Sequence, residues 1–161
     1  MKLNSTLVLA TLYVSGAAFA QAPQTERNIS MAMAQAIVTG AVEECAKTSY
    51  RVSVAVVDKA GQLAAALRGD GTAPHAVEFA RMKAYTARTR NQTSQEFAAA
   101  TASGDGMALR QIPGVIAIGG GVPIRAGSET IGAIGVSGAP SGDKDEVCAK
   151  AGIARVSSRL D

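Results

Sequence analysis

The sequence predicts an α+β fold, an antiparallel sheet flanked by helices, and three observations lead there. Helical and strand periodicities follow one another in the order helix, hairpin, helices, strands, helix, rather than alternating as they would around a parallel sheet. Between Val115 and Gly138, two apolar runs at residues 115–118 and 130–136 flank a polar centre containing Gly127, the pattern of neighbouring antiparallel strands. Glycines at 119, 120, 121, 132, 135 and 138 strip side chains from one surface of this region, so another backbone, a helix or a flat ligand can come close. The same glycines form no G-x-G-x-x-G, and no Lys-Ser or Lys-Thr closes a phosphate loop, which argues against phosphate cradling.

In chain order, Ala34, Ile37, Val38, Ala41, Val42 and Cys45 recur at helical spacing behind Ser30, a suitable N-cap, and predict a first helix ending near Lys47. Val52, Val54 and Val56 alternate with Ser53, Ala55 and Val57, which reads as a central strand apolar on most of both faces. The turn residues Asp58-Lys59-Ala60-Gly61 return the chain as a second strand over 62–67 that pairs with the first. After the loop 68–72, Pro74 suits the first turn of a helix running to about Thr89. That helix carries His75, Phe79, Met82 and Thr86 on one stripe and Ala80, Ala84 and Ala87 on a small-residue face able to sit tightly on a sheet. Thr93 and Glu96 have capping-box spacing for a short helix that stops before Ser103, and the glycine-rich strands follow. Ser141 opens a last helix, with Asp143, Asp145 and Glu146 in its first turn and Val147, Cys148, Ala151 and Ala154 expected on its apolar face.

Residues 1–20 have the form of a signal peptide: Lys2, an apolar run from Leu7 to Val14, and Ala18-Phe19-Ala20 as a cleavage site, so Gln21 is the expected mature start. The run is too short to span a bilayer, and no later segment is long enough. The expected location is periplasmic or secreted. The 141 residues from 21 to 161 suit one domain with a real core. They carry 15 basic and 13 acidic residues, and their aromatics are Tyr50, Phe79, Tyr85 and Phe97, which speaks against strong nucleic-acid binding and against a base-stacking platform.

A single histidine excludes a His-rich metal site, and two cysteines about a hundred residues apart match neither a zinc framework nor a C-x-x-C redox pair. Ser137 lies in Gly135-Val-Ser-Gly138, but Ala139 stands where a nucleophile elbow needs glycine, so a strand-end turn is the better reading. Glu78 and Arg81 read as a solvated helical pair, and Asp143 and Glu146 as helix-start charges before a weak cation site. His75 has no partner visible in the sequence.

The stretch from Leu67 to His75, Arg81-Met-Lys-Ala-Tyr-Thr-Ala87, Gln111-Ile-Pro-Gly114, Gly119-Gly-Gly-Val-Pro123 and the run from Ile131 to Glu146 together resemble the haem-binding GlcG/HbpS family, in order, through nearly the whole of residues 21–161. The resemblance implies a profilin-like fold with helices on both faces of the sheet, homo-oligomers, and binding of haem or a related tetrapyrrole. It implies a binding protein first, with an enzyme degrading haem or transforming a small acid or corrinoid, or an extracytoplasmic module for a membrane sensor, as alternatives. Haem needs an apolar wall, an axial donor and cations for its propionates. Phe79 and Met82 would supply the wall and His75 the axial nitrogen to iron, against Met82, Met107, a tyrosine or Thr72 as competing donors. Arg68, Arg81 and Lys83 are the propionate candidates, with a solvated helix face as the bland alternative. Glu78 holds an acidic position of the family's middle helix, but Arg81 stands where an iron site would need a second acid one turn on. If the first and last helices pack antiparallel, as the resemblance implies, Cys45 and Cys148 meet in a disulfide; two buried free thiols are the alternative.

Overall fold

The computed structural model describes residues 23–160; the expected signal peptide and its cleavage point lie outside the described residues. Four strands form one antiparallel sheet in the order β2-β1-β4-β3, where β1 is Ser53–Asp58, β2 Leu63–Arg68, β3 Gly121–Ala126 and β4 Glu129–Ser137. Helices cover both faces, and the chain is α+β as its sequence predicts.

On one face Val54 and Val56 of β1 lie beside Val136 and Ile134 of β4, and Ile134 lies beside Val122 of β3. This row meets α1 (Met31–Ala46) and α4 (Gly142–Ala154) in the larger core, with Ile37, Ala41 and Ala149 fully buried. Ser30 caps α1 as expected, its hydroxyl accepting from the Met33 amide at 3.3 Å. The apolar face of α4 is rotated from the expected one: Asp145, Cys148, Ala149 and Gly152 are buried, while Val147 is 60% exposed. The Cys45–Cys148 disulfide is formed, with Cα atoms 5.5 Å apart, and joins the end of α1 to the second turn of α4.

The other face carries small residues. Ala55, Gly135 and Gly121 lie side by side across β1, β4 and β3, and α2 (Ala76–Arg90) presses its backbone onto them. A Cβ on Gly135 would stand 2.0 Å from the Ala80 carbonyl oxygen, and one on Gly121 would stand 2.2 Å from that of Lys83. The expected small-residue face, Ala80, Ala84 and Ala87, is fully buried there. Beyond α2 come α3 (Ser94–Ala100), with the expected Thr93–Glu96 capping box, and a 3₁₀ stretch over Gly104–Gln111.

The hairpin around Gly127 (φ +60°) exists, but its first strand is β3 rather than the run 115–118. Residues 115–118 lie outside the sheet and form no regular secondary structure. The Ile116 amide donates to the Thr86 hydroxyl of α2 at 2.9 Å, and Thr86 donates to the Met82 carbonyl. Gly114 and Gly120, both at positive φ, turn the chain at either end of this segment.

Candidate functional site

His75 occupies the N-cap position of α2, exposed, with no capping bond from its side chain. Its ring meets the Phe79 ring edge-on, with centroids 4.7 Å apart and planes at 61°. Phe79 and Met82 follow at helical spacing on the side of α2 away from Ala80 and Ala84, half-buried, and Thr86 closes the stripe below them, buried and tied to Ile116. The segment 115–118 therefore flanks α2 at Thr86, and Ile118 on it is 41% exposed. The structure thus brings three of the sequence-predicted residues together: an accessible imidazole at one end and two apolar side chains running from it.

Among the competing donors, Thr72 is taken up internally: its hydroxyl donates to the Gly69 carbonyl at 2.9 Å and pairs with the Ser53 hydroxyl at 3.1 Å. Tyr85 packs its ring against Gly61 and Gly114, and Met107 lies on the separate 3₁₀ stretch.

The cations differ sharply. Lys83 is not at the surface, and its place as a propionate contact is corrected: its side chain is 3% exposed, and its ammonium donates to Asp145 Oδ2 at 2.7 Å and to the Val136 carbonyl at 3.0 Å. Asp145 accepts a further bond from the Ala139 amide at 3.0 Å, so the pair ties α2 to the start of α4 around the end of β4. Burial pushes the Asp145 carboxyl above its ordinary range, against the opposing pull of Lys83. Arg81 donates through Nε and Nη2 to both oxygens of Glu78, at 3.0 and 2.6 Å, and these bonds hold the Glu78 carboxyl below its ordinary range. Arg68 is exposed and gives Nη2 to the Thr72 carbonyl at 3.0 Å. Beside it stands an arginine that motif reading passes over, Arg51, whose guanidinium lies against Gly71. Its signal in the sequence is only its place before the central strand; proximity to the loop comes from the fold.

Two concavities lie elsewhere. One of about 550 Å³ runs along the outer side of α1 by Ala36, Gly40 and Arg155, and one of about 160 Å³ sits beside the disulfide between Tyr50 and Val147. Neither is lined by His75, Phe79 or Met82, which lie at the surface of the single chain, the first exposed and the other two half-buried. Among the described residues no group of three or more acids, histidines or cysteines gathers to hold a bare metal ion.

The fold has counterparts among known proteins. The family model described as haem degrading protein HbpS-like matches residues 29–154. The chain belongs to this family. Protein GlcG of Escherichia coli K12 is 35% identical over 114 residues, 71% of this chain and 84% of that protein. The crystal structure of a double Glu-to-Asp mutant of Streptomyces reticuli HbpS superposes with a TM-score of 0.76 at 37% identity, covering 91% of this chain and 97% of the other. Klebsiella pneumoniae protein ORFY superposes at 0.78 with 25% identity, covering 88% and 99%. The HbpS-like match thus spans every strand and the four α-helices.

Proposed function

We propose that the protein binds haem, or a related tetrapyrrole, on the outward strip of α2, with His75 as axial ligand to the iron, and does so as a periplasmic or secreted protein. The observation that carries this reading is the exposed imidazole, free of capping duty, at the head of the half-buried stripe Phe79–Met82. Membership of a family described as haem degrading supports the choice of ligand. The donor set fits the group: a neutral imidazole is a common proximal ligand, and an aromatic ring with a thioether beside it suits a flat apolar macrocycle. Bound haem would supply iron-centred redox and ligand chemistry; the chain supplies the nitrogen, the wall and the placement of both on a rigid helix. An open strip leaves the outer side of such a ligand in water, and assembly of the chain into homo-oligomers would cover it. Haem degradation is the second reading, favoured by the family's description.

Titration of the protein with ferric haem, followed by absorbance, tests this. A saturable Soret band is expected, with His75→Ala changing both affinity and the ligand-sensitive bands. Unchanged affinity and spectrum in the variant would remove His75 from the role, and decay of the band with reductant and oxygen would favour degradation. The intact mass of the purified protein checks export, for which loss of residues 1–20 is expected.

A further inference from the structure

Four cations named so far have very different freedom to meet a ligand. Lys83 is inside, bonded to Asp145, and Arg81 spends its fork on Glu78. Arg68 donates to the Thr72 carbonyl through Nη2 alone, leaving the rest of its guanidinium free. Arg51 forms no hydrogen bond or ion pair among the described residues. It lies against Gly71, with Nη1 and Cδ 2.9 and 3.3 Å from where a Cβ on that glycine would stand. Gly71 is at φ +69°, a backbone conformation that favours glycine.

The turn that both arginines rest on is fixed from beneath. The Gly69 amide donates to the Val52 carbonyl at 3.1 Å, the Thr72 amide to the Gly69 carbonyl at 3.3 Å, and the Thr72 hydroxyl reaches both Gly69 and Ser53. Three residues after this turn comes His75, and the Ala76 amide donating to the Ala73 carbonyl continues the path into α2. Two guanidinium groups thus stand on one rigid turn at the His75 end of the apolar strip. Asp70, in the same loop, is exposed and pairs with neither of them.

We propose that Arg51 and Arg68 form a carboxylate-reading rim for the His75 strip, selecting flat apolar ligands that carry anionic carboxylates at one edge, with Arg51 the principal contact. The proposal rests on the reading of that strip as a tetrapyrrole site. A guanidinium offers paired N–H groups in a planar fork that matches a carboxylate, so less freedom is lost per hydrogen bond formed than with a lysine ammonium.

The test compares haem with its dimethyl ester, which keeps ring and iron but caps both carboxylates, by absorbance titration of the wild-type protein. Binding of the ester weaker by about tenfold or more is expected. Arg51→Gln should weaken haem binding and erase most of that preference, Arg68→Gln should do so in part, and Arg81→Gln, which removes an arginine already engaged by Glu78, should keep it. Thermal unfolding confirms that each variant is folded. Equal affinity of the wild type for haem and ester, or a preference unchanged in Arg51→Gln, overturns the rim. Failure of haem itself to bind the wild type overturns the tetrapyrrole reading and the rim with it, an outcome distinct from the first two.

Discussion

Val54, Val56, Ile134 and Val136 on one face of the sheet meet two helices and a covalent bridge, while Ala55, Ala133 and Gly135 on the other meet the backbone and alanines of one helix. The first face is closed by apolar volume. The second is closed by proximity, with α2 lying so near the sheet that glycine is required beneath it. The difference bears on function, because the helix that lies close to the sheet is the one whose outer side carries His75, Phe79 and Met82. Methylene-rich packing would lift that helix and lengthen its contact; small residues hold it as a thin, rigid support.

The disulfide belongs wholly to the first face, and removing it should give the largest effect. Cys45 and Cys148 are 103 residues apart and buried. Closing a loop of that length stabilises by roughly 4 to 5 kcal/mol in the chain-entropy model. The Cys45→Ser/Cys148→Ser variant, or the reduced protein, should lose stability of that order in urea unfolding. A loss below about 1 kcal/mol would mean that α1 and α4 are held by packing alone.

Next in size is the pair that crosses between faces. Lys83 from α2 and Asp145 from α4 are both nearly inaccessible, and breaking such a pair from one side costs about 3 to 5 kcal/mol, whereas an apolar double replacement is often neutral. Lys83→Met should therefore be strongly destabilising, and Lys83→Met/Asp145→Leu should recover most of the loss. The single variant also has a defined pH response. Burial already raises the Asp145 carboxyl, and without Lys83 the bond from the Ala139 amide is what remains to oppose it. A carboxyl raised in the folded state favours folding below its unfolded pKa and loses that contribution as pH rises through the folded value, so Lys83→Met should be relatively more stable in acid. Urea unfolding at several pH values checks both statements.

These two regions were unequally legible in the sequence. The small-residue stripe of α2, the glycine surface and the caps at Ser30 and Thr93 follow from local periodicity and chemistry, and the structure keeps them. The same stripe also held the sign that Lys83 is internal, since position 83 falls three after Ala80 and four before Ala87, but a charged residue invites a surface reading. Asp145 stands in the same relation to Cys148, three residues before it on the buried face of α4. The run 115–118 has strand composition, yet its neighbour proved to be the hydroxyl of Thr86 rather than a strand, and no local pattern reports that. Arg51 escaped because its nearness to Gly71 exists only after the sheet has formed.

The smallest effect expected, and the one that probes closeness itself, concerns the glycines under α2. A Cβ on Gly135 would meet the Ala80 carbonyl oxygen at 2.0 Å and the Ala84 amide nitrogen at 2.6 Å; on Gly121 it would meet the Lys83 carbonyl oxygen at 2.2 Å. All three are backbone atoms, which cannot swing aside as a side-chain end can. The helix has to move as a body, and overpacking of this kind costs about 1 to 3 kcal/mol. Gly135 and Gly121 are direct cross-strand partners, so one displacement of α2 relieves both clashes. Gly121→Ala and Gly135→Ala should each lower the urea midpoint, and the double variant should fall short of the sum of the two. Strict additivity would show that each clash is absorbed locally in its own strand, and that α2 is not the rigid support on which the His75 strip depends.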